Sequence, residues 1–158
     1  MSKAFTKDDG PAEAPVSRRR APLPERAPNY VTARGLRALR AELAQLGAAA
    51  PSSEGSDGLA AWRSELEKRI ATAVIAPQPE HRDEVRFGAI VRVRGAEGQT
   101  RELQIVGVDE ADAGRGLLAF TAPLARALLG RRVGDTVSVK TPGGEEDLTV
   151  VDLVYGSD

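Results

Sequence analysis

The chain reads Thr121-Ala-Pro-Leu-Ala-Arg-Ala-Leu-Leu-Gly-Arg-Arg-Val-Gly-Asp135 in its C-terminal half, and this stretch predicts a short helix with one buried face. Pro123 suits the first helical turn, because the N–H that proline lacks has no intrahelical partner there. Gly130 supplies a stop at the C-terminal end. Apolar residues at spacings of three and four positions fall on one face of this helix: Leu124, Ala127 and Leu128.

The composition indicates one domain, or two small ones, with an aliphatic core. Hydrophobic residues make up 41% of the 158 positions and aromatic residues only 4%. The 22 basic and 23 acidic residues nearly cancel, so the chain has no general attraction to nucleic acid or membranes. The absence of cysteine and the single histidine, His81, argue against disulfides and a zinc site. We therefore expect no cofactor and no metal.

Residues 1–29 are predicted to form a disordered tail. The segment holds five of the ten prolines and few apolar residues, so it cannot bury enough surface to offset the entropy lost on ordering. Arg18-Arg19-Arg20 either contacts RNA, DNA or an acidic protein face, or is simply a solvated charge run. The tail has no apolar signal region, and no apolar run approaches the ~20 residues of a membrane span, so we expect a cytoplasmic location.

Residues 30–76 are predicted to form a short antiparallel helical hairpin, a coiled coil in two arms. Thr32 is a plausible N-cap of the first helix, and Gly47 a plausible end. Residues 51–58 form a loop rich in helix breakers. The seam of the first arm has heptad spacing: Leu36, Leu39, Leu43 and Leu46. The second arm carries a matching seam: Leu59, Trp62, Leu66, Ile70 and Val74.

Two further features of the second arm bear on function. Glu65 and Arg69 stand at i, i+4, which predicts an ion pair on the exposed side of the helix. Trp62 lies in the seam, which favours core packing over stacking on a base. Residues 77–83, with two prolines, are predicted to be a linker.

Residues 84–158 are predicted to form a compact domain of mostly antiparallel strands with one helix, which makes the fold class α+β. In Leu148–Tyr155 the apolar phase shifts between Val150 and Leu153, which indicates a β-bulge or a strand buried on both faces. Alternation and apolar runs predict five strands: Val85–Val93, Leu103–Val108, Leu117–Phe120, Thr136–Lys140 and Leu148–Tyr155.

The C-terminal domain resembles that of the bacterial GreA/GreB transcription elongation factors, which fold this domain like FK506-binding proteins. The opening stretch, Thr121–Asp135, carries the resemblance together with three other pieces in the family's order: Val85–Gly88, Ile105–Glu110 and Thr141–Gly144. The first predicted helix also resembles the family's first helix over Tyr30–Leu43, including Thr32, Gly35 and Glu42. Both matches together cover roughly three-quarters of the chain.

The resemblance implies bacterial RNA polymerase as the partner, bound by a monomer. In Gre factors the C-terminal domain binds the rim of the polymerase secondary channel. The long hairpin enters the channel, and acidic residues at its tip help to hold a second Mg²⁺ that activates water for cleavage of backtracked RNA. This chemistry needs carboxylates because Mg²⁺ is a hard cation that prefers oxygen ligands.

The hairpin tip departs from the family pattern. The family's Asp-x-x-Glu-Asn has no match here, and the nearest acids are Glu54 and Asp57, set among serines and glycines. These acids are either metal-related or part of a solvated turn. Thr32 to Leu46 spans about 22 Å at ~1.5 Å per residue, roughly half of a Gre arm. In this respect the chain resembles Rnk-type members, which bind polymerase without promoting cleavage.

The docking motif also departs from the family pattern. Gre proteins commonly carry Asn/Asp-Ser-Pro at the start of the short helix, where this chain has Thr121-Ala122-Pro123. The resemblance implies polymerase docking through these residues and Arg126, while Pro123 also reads as a plain helix-start residue. The resemblance further implies contact with RNA in the channel by a basic line on the first helix, which is otherwise a solvated face: Arg34, Arg37 and Arg40.

Three functions follow from these observations. The leading hypothesis is a polymerase-binding transcription regulator that docks at the secondary channel and does not stimulate transcript cleavage; the protein itself is then not an enzyme. The second is an active cleavage factor that uses Glu54 or Asp57. The third, a peptidyl-prolyl isomerase, rests on fold analogy alone, and its aromatic pocket would have to come from three residues: Phe87, Phe120 and Tyr155.

Overall fold

The computed structural model describes residues 21–48 and 56–156. Two long helices precede a β-rich part that contains one short helix, as the sequence predicts. In chain order the elements are β1 (Asn29–Val31), α1 (Ala33–Ala48), α2 (Ser56–Thr72), β2 (Ala73–Ile75), β3 (Ala89–Gly95), β4 (Thr100–Val106), a 3₁₀ turn (Ala113–Arg115), β5 (Leu117–Ala119), α3 (Pro123–Leu128), β6 (Thr136–Thr141) and β7 (Gly144–Tyr155).

The two long helices form a hairpin whose base is closed by a small sheet. Strands β1 and β2 pair in parallel, which places the start of α1 beside the end of α2, so the two helices run antiparallel. Thr32 caps α1, since its Oγ accepts a hydrogen bond from the Gly35 N–H at 2.9 Å. The prediction that Val74 continues the second helical seam is wrong, because this residue lies in β2 and is 43% exposed.

The second sheet has five strands in the order β5-β4-β3-β7-β6. All of its pairs are antiparallel except β4 with β5, so the predicted α+β class is confirmed. Strand β3 begins at Ala89 and not at Val85, because Gly88 has a left-handed φ of 85° and breaks the strand there. Val85 is nevertheless fully buried.

The predicted bulge in the last strand is confirmed. Along β3, Arg92 pairs with Asp152 and the next residue, Val93, pairs with Val150, so Val151 is the extra residue. The core lies between this sheet and α3, and is almost entirely aliphatic. Its most buried members are Val85, Ala89, Val91, Val93, Ile105, Ala125, Leu128, Leu148 and Val150.

Part of the segment predicted to be disordered is packed against the fold. Residues 21–29 are described; among them Leu23 contacts the core and Asn29 is buried in β1. The triple arginine at 18–20 and Glu54 lie outside the described residues, as does the side chain of Asp57. Over the part of the chain that the structure describes, none of the helices has the length and apolarity needed to cross a membrane.

Candidate functional site

The α3 surface, which we define as Thr121, Ala122, Pro123 and Arg126, is the predicted docking site. Its residues are exposed except for Ala122, which is half-buried against the core. Ala125 and Leu128 hold the other side of α3 on the sheet, both fully buried. The structure therefore presents Pro123 and Arg126 outward, with Pro123 at the first helical position.

Helix α3 lacks a side-chain cap, and we expect that Ala122→Ser stabilises the protein. Ala122 is the N-cap residue with φ −67° and ψ 147°, an extended conformation that suits a capping serine, and no side chain bonds the free N–H groups. Thr121 does not compensate for this missing cap. A Ser hydroxyl at this position should add about 1 kcal/mol, visible as a higher Tm in thermal unfolding. An unchanged or lower Tm would count against the capping argument.

A cluster of ion pairs joins the segment before β3 to the loop after α3. Arg132 pairs with Asp83 and with Glu84, both at 3.2 Å, and Arg86 pairs with Glu84 at 2.7 Å. The hydrogen bond from Arg132 and the charge of Arg86 lower the pKa of Glu84. The Tyr155 hydroxyl donates to the Glu84 carbonyl, and burial raises the pKa of this phenol. These ion pairs thus connect the loop that follows the α3 surface to the segment before β3.

The hairpin is joined to the large sheet through one carboxylate. Glu110 follows β4 and accepts hydrogen bonds from the N–H of Thr32 and of Gly107, both at 3.1 Å, and from the Thr32 hydroxyl. A Cβ at Gly35 would lie 2.6 Å from Cγ of Glu110 and closer still to Cδ, so only glycine leaves room for this side chain. The negative charge lies at the N-terminus of α1, where the helix dipole favours it.

A buried ion pair reinforces this junction, and it corrects a prediction. Arg69 is not on the exposed side of α2; its side chain is only 4% exposed. Its guanidinium donates to Asp109 at 2.9 Å, to the Ala21 carbonyl at 3.0 Å and to Glu65 at 2.9 Å. The Asp109 carboxylate is 2% exposed. The i, i+4 pair with Glu65 exists as predicted, but the buried partner Asp109, 40 positions away, could not be predicted from helical spacing.

An open groove of about 550 Å³ lies between α1 and the large sheet. Its floor includes a row of half-buried side chains that are successive partners across three strands: Ile90, Gln104 and Leu117. Arg34 and Arg37 line the groove from α1, and Arg115 lines it from the turn before β5. Arg40 is exposed on the same helix but does not line the groove. The three arginines predicted to form one basic line therefore do not share one surface.

The structure does not test the predicted tip acids, because Glu54 and the side chain of Asp57 lie outside what it describes. Asp57 lies in the first turn of α2, and Glu54 precedes that helix in the sequence. Within residues 21–48 and 56–156 the structure contains no group of three or more histidine or acidic side chains able to hold a metal ion. Sequence reasoning missed the roles of Glu110 and Asp109 at the base of the hairpin, although Gly35 inside a helix indicates a close contact that requires a glycine.

Comparison with known proteins identifies the family to which the chain is similar. Residues 78–155 match the family model described as the C-terminal part of the transcription elongation factors GreA/GreB. A GreB from Neisseria meningitidis is 32% identical over 153 residues, covering 80% of this chain and 94% of that protein. A GreA from Acidiphilium cryptum is 42% identical over 95 residues, covering 59% of this chain and 60% of that protein.

Two solved structures of similar proteins align with most of this chain. The GreA factor homolog Gfh1 of Thermus thermophilus is 21% identical with a TM-score of 0.43, covering 81% of this chain and 99% of that one. A GreA/GreB factor from Nitrosomonas europaea is 25% identical with a TM-score of 0.44, covering 80% and 98%.

Proposed function

We propose, because this chain belongs to the GreA/GreB family of transcription elongation factors, that it binds bacterial RNA polymerase and regulates transcription elongation. The observation that carries the proposal is the match over 94% of the length of a GreB relative. Docking through the α3 surface is supported by its exposure, since Pro123 and Arg126 face solvent on a helix whose other side is buried in the core. The expected site on the polymerase is the rim of the secondary channel.

We further propose that the protein does not stimulate transcript cleavage. Its α1 has 16 residues and α2 has 17, so each arm reaches about 25 Å at ~1.5 Å per residue. The GreB comparison supports a shortened chain: 80% of 158 residues is about 126, which leaves about 27 of the 153 aligned positions without a counterpart. A blunt hairpin in the channel mouth would occupy the site of true cleavage factors without delivering carboxylates to the catalytic metal.

Binding to purified core RNA polymerase tests the first proposal. We expect a stable complex under conditions in which a GreA or GreB protein binds, and weaker binding by the Arg126→Glu variant. Arg131→Glu is the matched control, because Arg131 is also exposed but lies after α3 and outside the α3 surface. Failure of the natural protein to bind would contradict the proposed function.

A transcript-cleavage assay on a backtracked elongation complex distinguishes a non-catalytic regulator from an active cleavage factor. We expect no shortening of the nascent RNA when the protein is added alone, and slower shortening when it competes with an active Gre factor. The alternative, an active cleavage factor, predicts RNA shortening that disappears in the Glu54→Ala, Asp57→Ala double variant. That result would overturn the non-catalytic proposal while leaving polymerase binding intact.

No observation on the described residues favours the isomerase alternative. Phe87 and Phe120 pack edge-on against each other at 5.6 Å, and both contact Tyr30 from the hairpin base. Two of the three aromatic side chains of the β-rich part are therefore engaged in joining it to the hairpin. A proline-isomerisation assay on a model peptide is expected to show no acceleration.

A further inference from the structure

The groove beside α1 lies on the opposite face of the large sheet from the α3 surface. Side chains alternate between the two faces of a strand. Val91 and Leu103 belong to the core under α3, so their neighbours Ile90 and Gln104 point to the other face. Nothing in the described part of the chain covers this second face completely: Val154, which pairs with Ile90 but lies outside the groove lining, is 52% exposed, and Ile75, in the groove wall, is 53% exposed.

The rim of the groove carries positive charge that the described residues do not neutralise. Arg34, Arg37 and Arg115 are exposed, and their guanidinium groups form no hydrogen bond or ion pair with any described residue. The acidic residues that line the groove are all engaged. Asp109 pairs with Arg69, and the Glu110 carboxylate bonds Thr32 and Gly107; Glu42 likewise has an interaction within the chain. The surface therefore combines a largely aliphatic floor with guanidinium groups that have no partner among the described residues.

This combination fits a protein segment better than a nucleic acid. Binding of single-stranded RNA relies on aromatic rings on which bases stack. The aromatic residues that line the groove are Phe87 and Tyr155. The Phe87 ring packs against Tyr30 and Phe120, and the Tyr155 hydroxyl is bonded to the Glu84 backbone, so both are half-buried and engaged. The half-buried floor offers the aliphatic side chains of Ile90 and Leu117 beside the amide of Gln104, and its aliphatic part suits leucine, isoleucine or valine side chains of a partner.

We infer that this groove is a second contact surface for the polymerase, which receives an acidic protein segment carrying aliphatic side chains. The segment places its carboxylates against Arg34, Arg37 and Arg115 and its apolar side chains over Ile90 and Leu117. The inference rests on the proposed function, since it assigns a second contact to the same partner. Arg34 and Arg37 thus belong to the proposed contact surface, whereas Arg40 lies on the same helix outside it.

Charge reversal on α1 tests the inference with a control on the same helix. The Arg34→Glu, Arg37→Glu variant is expected to bind core RNA polymerase about tenfold more weakly, with a shallower dependence on salt. Arg40→Glu is expected to change the Kd less than about twofold, because it alters the helix charge outside the groove. Circular dichroism should show both variants folded, since none of these side chains has a described partner.

Substitutions of apolar residues in the groove wall provide an independent test. Ile75→Thr is expected to weaken polymerase binding, while Val74→Thr is its matched control, because both residues are exposed in β2 but only Ile75 lines the groove. A photo-cross-linker at Gln78, in the groove wall, should capture a segment of polymerase rich in Asp and Glu when added to an elongation complex. Cross-linking to the transcript instead would overturn the inference in favour of RNA.

The outcomes distinguish this inference from the proposed function. If the natural protein binds polymerase and the groove variants bind as well as their controls, the second contact is wrong and the proposed function stands. If the natural protein does not bind, both are wrong. Weakening of the groove variants together with unaffected controls supports both.

Discussion

Replacing Arg69 by methionine is expected to lower the free energy of unfolding by about 3–5 kcal/mol. The substitution keeps most of the side-chain volume but leaves the Asp109 carboxylate, 2% exposed, without its guanidinium. It also removes hydrogen bonds to the Ala21 carbonyl and to Glu65. Denaturant unfolding at neutral pH measures the loss, and the Tm should fall by about 10 °C or more in a chain of this length.

Lys68→Met is the matched control, because Lys68 is the preceding residue of α2 and is exposed. We expect it to change stability by less than about 0.5 kcal/mol. The double variant Arg69→Met, Asp109→Leu should recover part of the loss, since it removes the buried carboxylate as well as the guanidinium. If Arg69→Met is as mild as Lys68→Met, the junction does not depend on this ion pair.

The elements that could be predicted from the sequence are those set by local chemistry. The Thr32 cap, the proline at the start of α3 and the bulge near Val151 depend on residues within a few positions, and all three occur in the structure. The exposure of Pro123 and Arg126 follows in the same way, because the apolar stripe of α3 fixes which face is buried.

The elements that could not be predicted depend on partners far along the chain. Val74 continues a helical spacing, yet Ala73–Ile75 pairs with β1 more than 40 positions away, and that ladder decides its conformation. Arg69 has a local partner in Glu65 that suggests an exposed position, while the distant Asp109 draws it into the interior. The groove is likewise invisible in the sequence, because its walls and floor come from α1, residues 75–79 and four strands.

Gly35→Ala is expected to destabilise the protein by about 2 kcal/mol, although alanine is the better helix former. In an open helix the change should add about 0.5–1 kcal/mol. Here the new methyl group would overlap Glu110, whose carboxylate is held by Thr32 and Gly107. Moving Glu110 aside breaks charge-assisted hydrogen bonds and leaves N–H groups at the hairpin base unsatisfied. Denaturant unfolding measures the difference.

Gly47→Ala, on the same helix, is expected to change the stability in the opposite direction, because a Cβ at Gly47 meets nothing within 4 Å and that residue is exposed. It should stabilise the protein by roughly 0.5 kcal/mol. In a Glu110→Ala background the overlap at Gly35 is gone, so Gly35→Ala should no longer destabilise, and the two changes are strongly non-additive. Equal stabilisation by Gly35→Ala and Gly47→Ala would mean that Glu110 does not hold the hairpin to the sheet. Opposite effects of the two substitutions on stability would show that the contact between Glu110 and Gly35 helps to orient the hairpin.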